Sequence, residues 1–421
     1  MTARSPAVIV ALHDGFYGWG TGAGRSNRAF LQILAALLAP GVRLTVIPVR
    51  LIPASSEYDE PWHQESLAIV GRAGGTVIPV DNGSAGMTRF GGLSHFRRAS
   101  AAAAAVTEGI LRDASRSLVI AFDAPFYGLA PLLPAGQRAR LVNVARATTA
   151  LHAPDDRERA AWERAGLLAA ASAGGHVAAT SRHMRRHLTD AYGIPGEAIT
   201  DLVNGLTPAE RHPGPRDTVS LMPPAASGGF LLSYGRAEPY KGFDDLLGAL
   251  AILRAGRVPV PHTVLGAVAD GPPLTPYQRH LAHRITAELH DVTLLTTFSP
   301  AIRGLLGDPR LAAVIVPSRA EPFGRIPLEA YAAGASPVIA TTAGGLAEIV
   351  TEGSTGYTAP SADPRSLAAA ISRALAATPA QCHHLLAAGR HLTAARYDYQ
   401  ANVTAFLTRH APWATTAGQS T

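Results

Sequence analysis

Short apolar segments alternate with helical stretches along the chain, and this alternation constrains the fold more than any other feature of the sequence. The apolar segments are rich in β-branched residues and are too short for buried helices. Strand–helix–strand repeats are typical of α/β proteins, whose parallel sheets are covered by helices on both faces. In the first half we therefore predict strands at residues 7–12, 42–49, 76–80, 118–122, 141–144 and 176–180, with helices that include 26–38 and 99–114.

A break in this pattern divides the chain. Residues 207–229 are rich in Pro, Gly, Ser and Ala and lack periodicity, as a surface linker does. Because one compact domain rarely exceeds about 250–300 residues, the 421 residues favour two domains. We predict a first Rossmann-like domain at 1–206 and a second at 207–397, with a helix of about 398–421 packing back on the first.

The second half repeats the α/β pattern of the first. Its predicted strands are residues 230–234, 262–265, 292–296, 313–316 and 337–340, and its predicted helices are 244–254, 278–289, 327–333 and 367–376.

Composition excludes several classes of protein. The net charge is +6, but no long run of basic residues occurs, so the charge favours phosphorylated small molecules as ligands over nucleic acid. The single cysteine, Cys382, supplies neither a disulfide framework nor a thiolate metal site, which fits a reducing, cytoplasmic setting. The first apolar run is too short for a signal peptide, and no stretch approaches about 18 uncharged apolar residues, so we expect no transmembrane segment.

Two carboxylates, Glu321 and Glu329, mark a candidate site in the second domain. Their segment follows a predicted strand and opens a predicted helix, with Glu321 in the loop and Glu329 two turns into the helix. Free backbone N–H groups and the positive end of that helix would face a ligand above the sheet. From spacing alone, the two carboxylates either hold hydroxyl-rich groups of one ligand or are a helix-start carboxylate and a solvated one.

Lys241 is the only lysine in the chain, although arginine is abundant. An ammonium group kept at one position indicates a site that needs a compact point charge. Arg236 and Lys241 follow the same predicted strand, where both cations could reach one diphosphate. The alternative is that they are ordinary surface charges.

These two segments resemble one family. Glu321-Pro-Phe-Gly-Arg-Ile-Pro-Leu-Glu329 is similar to the Glu-x7-Glu signature of the retaining family 4 glycosyltransferases, and Gly235-Arg236-Ala-Glu-Pro-Tyr-Lys241-Gly242 resembles their Gly-Arg-x4-Lys-Gly element. The resemblance covers most of the chain but is weak between about residues 51 and 119. It implies an α/β architecture of the GT-B type, with two Rossmann-like domains facing each other across a donor and acceptor cleft.

The resemblance also implies roles for individual residues. Arg236 and Lys241 would neutralise the leaving diphosphate in place of a metal, so we expect no metal and no cofactor, only a nucleoside-diphosphate sugar with GDP or UDP preferred. Glu329 would hold the ribose hydroxyls, and Glu321 would hold hydroxyls of the transferred sugar. The backbone amides of Phe323 and Gly324 would contact the sugar as well.

In the first domain, the turn Gly20-Thr21-Gly22-Ala23-Gly24-Arg25 joins the first strand to a helix. It could bring its backbone against a diphosphate or a sugar, or it could be a plain tight turn. By the resemblance Gly22 belongs to the donor site, although Thr21 stands where the family commonly has glycine. His152 resembles the family histidine that reaches the donor sugar, and a surface histidine is the alternative.

Ligands of open α/β sheets bind at the carboxyl edge of the strands, so polar and aromatic residues after the first and fourth predicted strands are acceptor candidates. Loop packing is the alternative explanation for them. The candidates are His13, Asp14, Tyr17, Trp19, Arg25 and Asp123.

The sequence thus predicts an enzyme that moves a sugar from a nucleoside diphosphate to a small polar acceptor, without a metal and with the anomeric configuration kept. We favour an acceptor from natural-product or antibiotic biosynthesis, of an aminoglycoside-like or lincosamide-like kind. The alternatives are a primary-metabolism transferase acting on an inositol, a hydroxy acid or a glycan, and a catalytically silent nucleotide-sugar-binding subunit. We expect no nucleic-acid partner, and a homodimer remains an option.

Overall fold

The computed structural model describes residues 4–18, 21–211, 222–269, 271, 273–288, 291–297, 299–335 and 337–416. The chain forms two compact units, one of Met1–Asn204 with Tyr399–Thr421 and the other of Gly205–Asp398. Each unit has its own sheet and its own hydrophobic cores. No helix in the described ranges is long and apolar enough to cross a membrane.

The first unit is built on a seven-stranded parallel sheet with the order β3-β2-β1-β4-β5-β6-β7. The strands are β1 Ala7–Leu12, β2 Arg43–Pro48, β3 Thr76–Val77, β4 Ser117–Phe122, β5 Leu141–Ala145, β6 His176–Ala179 and β7 Ile199–Asp201. The helices are α1 Gly22–Leu37, α2 Glu60–Arg72, α3 Leu93–Asp113, α4 Leu129–Leu132, α5 Ala135–Arg138, α6 Thr149–His152, α7 Arg157–Ala171 and α8 Arg182–Asp190.

Strand β1 is apolar without interruption, and the packing of its two faces explains why. Val8 and Val10 pack into one core of the first unit, whereas Ile9 and Ala11 pack into another. A central parallel strand is covered on both faces, so every position along it is buried. The order of the sheet reverses between β1 and β4, and the carboxyl ends of these neighbouring strands form the switch point where α/β proteins bind ligands.

The second unit has a six-stranded parallel sheet with the order β10-β9-β8-β11-β12-β13. The strands are β8 Phe230–Arg236, β9 His262–Ala269, β10 Val292–Thr297, β11 Leu311–Val316, β12 Val338–Thr341 and β13 Tyr357–Ala359. The helices are α9 Phe243–Ala255, α10 Pro276–Glu288, α11 Ala301–Gly304, α12 Ile326–Ala333, α13 Pro364–Leu375 and α14 Pro379–Arg396. Its switch point lies between β8 and β11.

After the second unit, the chain returns to the first through helix α15, Tyr399–His410. Val403, Phe406 and Leu407 of this helix join the core that contains Val8 and Val10. The last helix is therefore part of the first unit's interior.

The prediction of two α/β units with parallel sheets is confirmed, but some elements differ from those predicted. The edge strands β7 and β13 have three residues each, too few for a sequence pattern to reveal. Helix α14 was not predicted, although Thr378 and Gln381 form a capping box at its start. Helix α1 begins before residue 26 because the Thr21 hydroxyl accepts a hydrogen bond from the Gly24 N–H and caps the helix there.

Candidate functional site

In the second unit, the chain turns sharply after β8 and brings Lys241 to the loop that follows β11. Gly242 has φ +70°, and a Cβ there would lie 1.9 Å from the Pro317 carbonyl oxygen, so only glycine allows this approach. The Lys241 Nζ lies 2.5 Å from Glu321 Oε2, and both side chains are largely buried. The structure therefore brings together a cation and a carboxylate that the sequence placed in separate motifs.

Tyr240 organises the two cations of this turn. The Arg236 guanidinium donates a hydrogen bond to the Tyr240 hydroxyl, and its Cζ lies 5.8 Å from the ring centroid. The Lys241 Nζ lies 5.5 Å from the same centroid. Two positive charges are thus held beside one aromatic ring, where they can act on a single anion.

A second ion pair anchors the turn, and the sequence analysis missed it. The Arg319 N–H donates to the Tyr240 carbonyl at 2.7 Å, and the Arg319 guanidinium makes two 2.7 Å hydrogen bonds to Asp245 on α9. Because the pair is bidentate, it fixes both distance and orientation. Its residues are far apart in sequence and form no motif.

Two loops interlock behind Glu321. The Gly345 N–H donates to the Glu321 carbonyl at 2.8 Å, and a Cβ at residue 345 would lie 2.6 Å from the Phe323 Cα. Gly324 has φ +93°, and a Cβ there would lie 2.5 Å from a methyl carbon of Leu346. The glycines in the resemblance therefore have a packing role in this chain, because larger residues would separate the loops.

Phe323 is 5% exposed, and its ring packs edge-on against Tyr397 with centroids 5.5 Å apart. Its side chain is part of the interior of the second unit. The sugar contacts assigned to the backbone amides of Phe323 and Gly324 remain predictions.

Glu329 lies in the first turn of α12, not two turns into the helix as expected, because the helix begins at Ile326. Its side chain is 1% exposed and accepts a 2.9 Å hydrogen bond from the Tyr234 hydroxyl. Arg303 Nε lies 3.4 Å from one carboxylate oxygen, and Arg325 Nε lies 3.5 Å from the other. Glu329 is thus a buried carboxylate between two guanidinium groups.

Arg325 links Glu329 to the segment that opens the second unit. Its Nη1 donates to the Gly205 carbonyl at 2.9 Å, and its Nη2 pairs with Glu210. Sequence reasoning quoted Arg325 only as part of the resemblance, and it missed Tyr234, Arg303 and Glu210. Burial of a charged residue such as Arg325 cannot be read from motif spacing.

In the first unit, His13 and Asp123 meet at the switch point. They follow Leu12 and Phe122, which are paired residues of β1 and β4. His13 Nδ1 lies 3.6 Å from Asp123 Oδ2, and both residues are buried. Burial lowers the pKa of His13 and raises that of Asp123, while the attraction between the two groups opposes both shifts.

Asp14 lies against the start of α1. It accepts a hydrogen bond from the Thr21 hydroxyl, and a Cβ on Gly24 would lie 2.5 Å from Asp14 Oδ1. The same oxygen lies 3.2 Å from Arg89 Nε, and Arg89 Nη1 lies 3.3 Å from Glu57. Arg89 and Glu57 belong to the stretch where the resemblance is weak, and the sequence analysis missed both.

Asn27 connects the residues around the switch point. Its side-chain amide donates to the Asp14 carbonyl at 3.1 Å and to Asp123 Oδ2 at 3.3 Å, and its oxygen accepts from Arg146 Nε at 2.6 Å. Arg146 also donates to the Tyr399 hydroxyl of α15 at 2.8 Å. The last helix thereby contributes to the polar network at the switch point.

The other first-unit candidates are placed differently. Tyr17 packs in an aromatic cluster with Tyr58 and His63, the latter ring 4.4 Å away, so its contacts differ from those of His13 and Asp123. Gly22 is the first residue of α1, and Arg25 is half-buried in its first turn. Trp19 lies outside the described residues.

His152 ends the four-residue helix α6, and a buried carboxylate holds the start of that helix. Glu163 accepts from the Thr149 N–H at 2.9 Å, from the Thr149 hydroxyl at 2.7 Å and from the Tyr192 hydroxyl at 2.7 Å. His152 itself is half-buried. In the described part of the chain, no group of three or more His, Cys, Asp or Glu residues is arranged to hold a metal ion.

Comparisons with known proteins support the fold and identify a family for part of the chain. Residues 225–391 match the family model described as glycosyl transferases group 1. Sucrose-phosphate synthase from Thermosynechococcus elongatus superposes with a TM-score of 0.74 at 20% identity, covering 97% of this chain and 98% of that one. The fold is GT-B. An Anabaena protein solved with UDP and glucose shares this GT-B fold, with a TM-score of 0.67 at 19% identity and coverage of 95% and 98%.

Curated relatives resemble only part of the chain. Glycogen synthase of Mycobacterium tuberculosis is 31% identical over 233 residues, which are 53% of this chain and 51% of the relative. D-inositol 3-phosphate glycosyltransferase 2 of Catenulispora acidiphila is 32% identical over 228 residues, or 52% and 51%. The chain therefore spans about half the length of the curated relatives it matches.

Proposed function

We propose that this chain is a retaining glycosyltransferase that moves a sugar from a nucleoside diphosphate to a small polar acceptor. The observation that supports it most is the contact between Lys241 and Glu321 beside Arg236, within the segment that matches the glycosyltransferase family model. Both carboxylates and both cations expected from the sequence lie in the second unit.

The diphosphate would bind Arg236 and Lys241. As the bond between sugar and diphosphate breaks, negative charge grows on the leaving group, and the two cations stabilise that charge more in the transition state than before it. Lys241 pairs with Glu321 in the structure. A bound diphosphate competes for the ammonium group, and this competition leaves Glu321 available to sugar hydroxyls.

Retention follows if the departing phosphate accepts the acceptor's proton on the face it leaves. No side-chain base is then required, and Glu321 acts by position and charge instead of as a nucleophile. Glu329, held between Arg303 and Arg325, would bind the ribose. His152 would contact the donor sugar from the end of α6.

For the substrates, we propose UDP or GDP as the nucleotide and an intermediate of natural-product or antibiotic biosynthesis as the acceptor, in a cytoplasmic setting. A solved neighbour contains UDP and glucose, which favours UDP for the first test. The names of two relatives, glycogen synthase and D-inositol 3-phosphate glycosyltransferase, define the competing acceptors: a glycan and a phosphorylated inositol.

A thermal-shift screen with UDP, GDP, ADP and TDP tests this proposal. A ligand that binds only the folded state raises its stability in proportion to the logarithm of its concentration, so the matching nucleotide should raise the Tm most. Lys241→Ala should lose most of that shift, whereas Arg254→Ala, on the surface of α9, should keep it. Absence of a shift with all four nucleotides contradicts the proposal.

The next step is turnover with sugars of the matching nucleotide. Release of nucleotide that depends on an added acceptor supports a transferase. Tight nucleotide binding without any turnover across hexose, deoxyhexose and amino-sugar donors would instead support a catalytically silent binding subunit.

A further inference from the structure

The switch point of the first unit carries a compact polar group that we call the β1/β4 cluster: His13, Asp14, Glu57, Arg89 and Asp123. Resting on the proposed function, we infer that this cluster binds the acceptor and selects an unphosphorylated ring that carries a protonated amine. The inference depends on three features of the cluster: an open carboxylate, cations that are already neutralised, and an exposed aromatic ring.

Asp123 provides the open carboxylate. It is 5% exposed, and its Oδ1 accepts no hydrogen bond from the described residues. Its backbone has φ +72° and ψ 174°, a region that residues other than glycine adopt only where the surroundings impose it. Such strain concentrates at ligand sites, and a buried carboxylate oxygen without a donor is costly unless a ligand supplies one.

His13 also faces this position. Its Nδ1 lies 3.6 Å from Asp123 Oδ2 and makes no hydrogen bond with the described residues, although the side chain is 8% exposed. Burial lowers the pKa of His13, which favours the neutral imidazole, while the neighbouring Asp123 opposes this shift. His13 Nδ1 and Asp123 Oδ1 are thus two buried polar atoms, close together, that could bind a ligand.

Arg89 and the amino end of α1, two groups that could hold a phosphate, are already occupied by carboxylates. Asp14 lies at the amino end of α1 and accepts from the capping residue Thr21, so it takes the place of an anion at the positive end of the helix. The Arg89 guanidinium lies 3.2 Å from Asp14 and 3.3 Å from Glu57. An incoming phosphate would have to displace one of these carboxylates.

The charge of the cluster favours a cation. Asp14, Glu57 and Asp123 are three carboxylates, and Arg89 with the neighbouring Arg146 supplies two guanidinium groups. One negative charge is left in a largely buried place, where an ammonium group would neutralise it through a charge-assisted hydrogen bond to Asp123. A phosphorylated ligand would add like charge.

Phe90 supplies the apolar surface next to this charge. Its ring is 37% exposed and lies 5.6 Å from the His13 ring, centroid to centroid. Phe96 supports it edge-on at 4.8 Å, and the Arg159 guanidinium, which pairs with Glu163, lies 5.0 Å from its centroid, so the ring is held in place while part of the residue stays exposed. An aromatic face beside a few polar groups is typical of small-molecule sites, and it suits the C–H face of a saturated ring.

The test measures ligand binding by calorimetry with the whole chain and saturating matching nucleotide. The probes are methyl glucosides with an amine in place of the hydroxyl at C2, C3, C4 or C6, the parent methyl glucoside and its 6-phosphate. At least one amine should bind roughly tenfold or more tightly than the parent, as a hydrogen bond to a charged group predicts. The phosphate should bind more weakly than the parent.

Two variants and a control assign the preference to the cluster. Asp123→Asn keeps the shape of the side chain and removes its charge, so it should bring the amine-to-parent ratio close to one. Phe90→Leu should weaken all ring ligands to a similar extent without changing that ratio. Asp201→Asn, an exposed carboxylate at the end of β7, should leave both affinity and ratio unchanged.

Three outcomes would overturn the inference: equal affinity for amines and parent, no detectable binding of any amine, or a preference for the phosphate. A phosphate preference that disappears in Arg25→Gln would assign phosphate recognition to the half-buried arginine of α1. These outcomes are separable from failure of the proposed function, which would appear as loss of nucleotide binding in the thermal-shift screen. Nucleotide binding with no amine preference refutes this inference alone.

Discussion

The candidate donor site in the second unit and the β1/β4 cluster in the first occupy equivalent positions at the switch points of two similar sheets, yet they are built differently. In the second unit, Lys241 and Glu321 come from short contiguous motifs and pair directly. In the first, Arg89 from a distant loop pairs with both Asp14 and Glu57, and Asn27 connects Asp14 to Asp123. Under the proposed roles, the recurring part of the ligand is recognised by local motifs, whereas the variable part is recognised by side chains that only the fold assembles.

The largest expected effect is on the candidate donor site, and its absence would remove the contrast between the two sites. Lys241→Ala and Arg236→Ala should each remove about 2–4 kcal/mol of transition-state stabilisation, because each removes a charge beside the leaving diphosphate. The measurement is kcat/KM for both variants, with circular dichroism to verify folding. Arg254→Ala serves as the matched control, and near-normal turnover in either site variant would refute the assignment.

The next effect separates the two carboxylates within the donor site. Glu321→Gln should lower kcat by about 1–3 kcal/mol of barrier with less change in nucleotide affinity, because a negative charge beside the sugar is worth more in the transition state. Glu329→Gln should mainly weaken nucleotide binding, since ribose contacts change little during the reaction. Calorimetry and turnover at saturating donor measure both quantities.

If Glu321→Gln loses only affinity while Glu329→Gln loses only turnover, the two roles are reversed. Glu352→Gln, an exposed carboxylate paired with Arg373, is the control for loss of charge in the same unit.

Lowering the pH should destabilise the first unit more than the second, because the first unit contains the buried histidines His187 and His410. Burial lowers the pKa of His187 and of His410 to about 4, with neighbouring His183 and His176 adding to the shifts. Because the unfolded chain binds these protons near pH 6.5, the folded state is favoured above that pH and loses stability as the pH falls toward about 4. Each histidine should contribute about 1–3 kcal/mol to this loss.

Urea unfolding at pH 7 and pH 5 measures the loss, and hydrogen exchange assigns it to a unit. His187→Gln with His410→Gln should reduce the pH dependence, while His383→Gln, exposed on α14, should not. The second unit contains neither His187 nor His410, so an equal loss in both units would contradict this expectation.

The last prediction is that removal of metal ions has no effect on turnover. Since Arg236 and Lys241 supply the positive charge that other transferases obtain from a metal, EDTA should leave turnover unchanged. A parallel assay of an established magnesium-dependent transferase shows that the chelator works. If EDTA abolishes turnover and magnesium or manganese restores it, charge neutralisation by the two cations is insufficient.

The sequence was informative wherever local chemistry decides structure. The apolar run of β1 could be predicted because neighbouring residues determine it. Glu329 was placed too far along its helix, although the helix was predicted to begin at residue 327, one residue after the observed start at Ile326. The edge strands β7 and β13, of three residues each, are too short to carry a pattern.

Long-range contacts account for what the sequence did not reveal. Arg89 reaches Asp14 and Glu57 through loop segments that have no periodicity, and Arg325 is buried only because Glu210 and Glu329 flank it. The strained backbone of Asp123 depends on the packing of β4 and the turn that follows, and its residue type gives no sign of it. Such features require coordinates, because they depend on residues distant along the chain.

Because α15 belongs to the first unit, that unit cannot be completed until the second unit has been translated. The second unit is contiguous, so a ribosome translates all of it before Tyr399–His410. Val403, Phe406 and Leu407 fill a core most of whose other members lie far earlier in the chain. A nascent chain therefore holds an unfinished hydrophobic interior open until α15 has been made, and in this interval chaperones have the greatest opportunity to bind it.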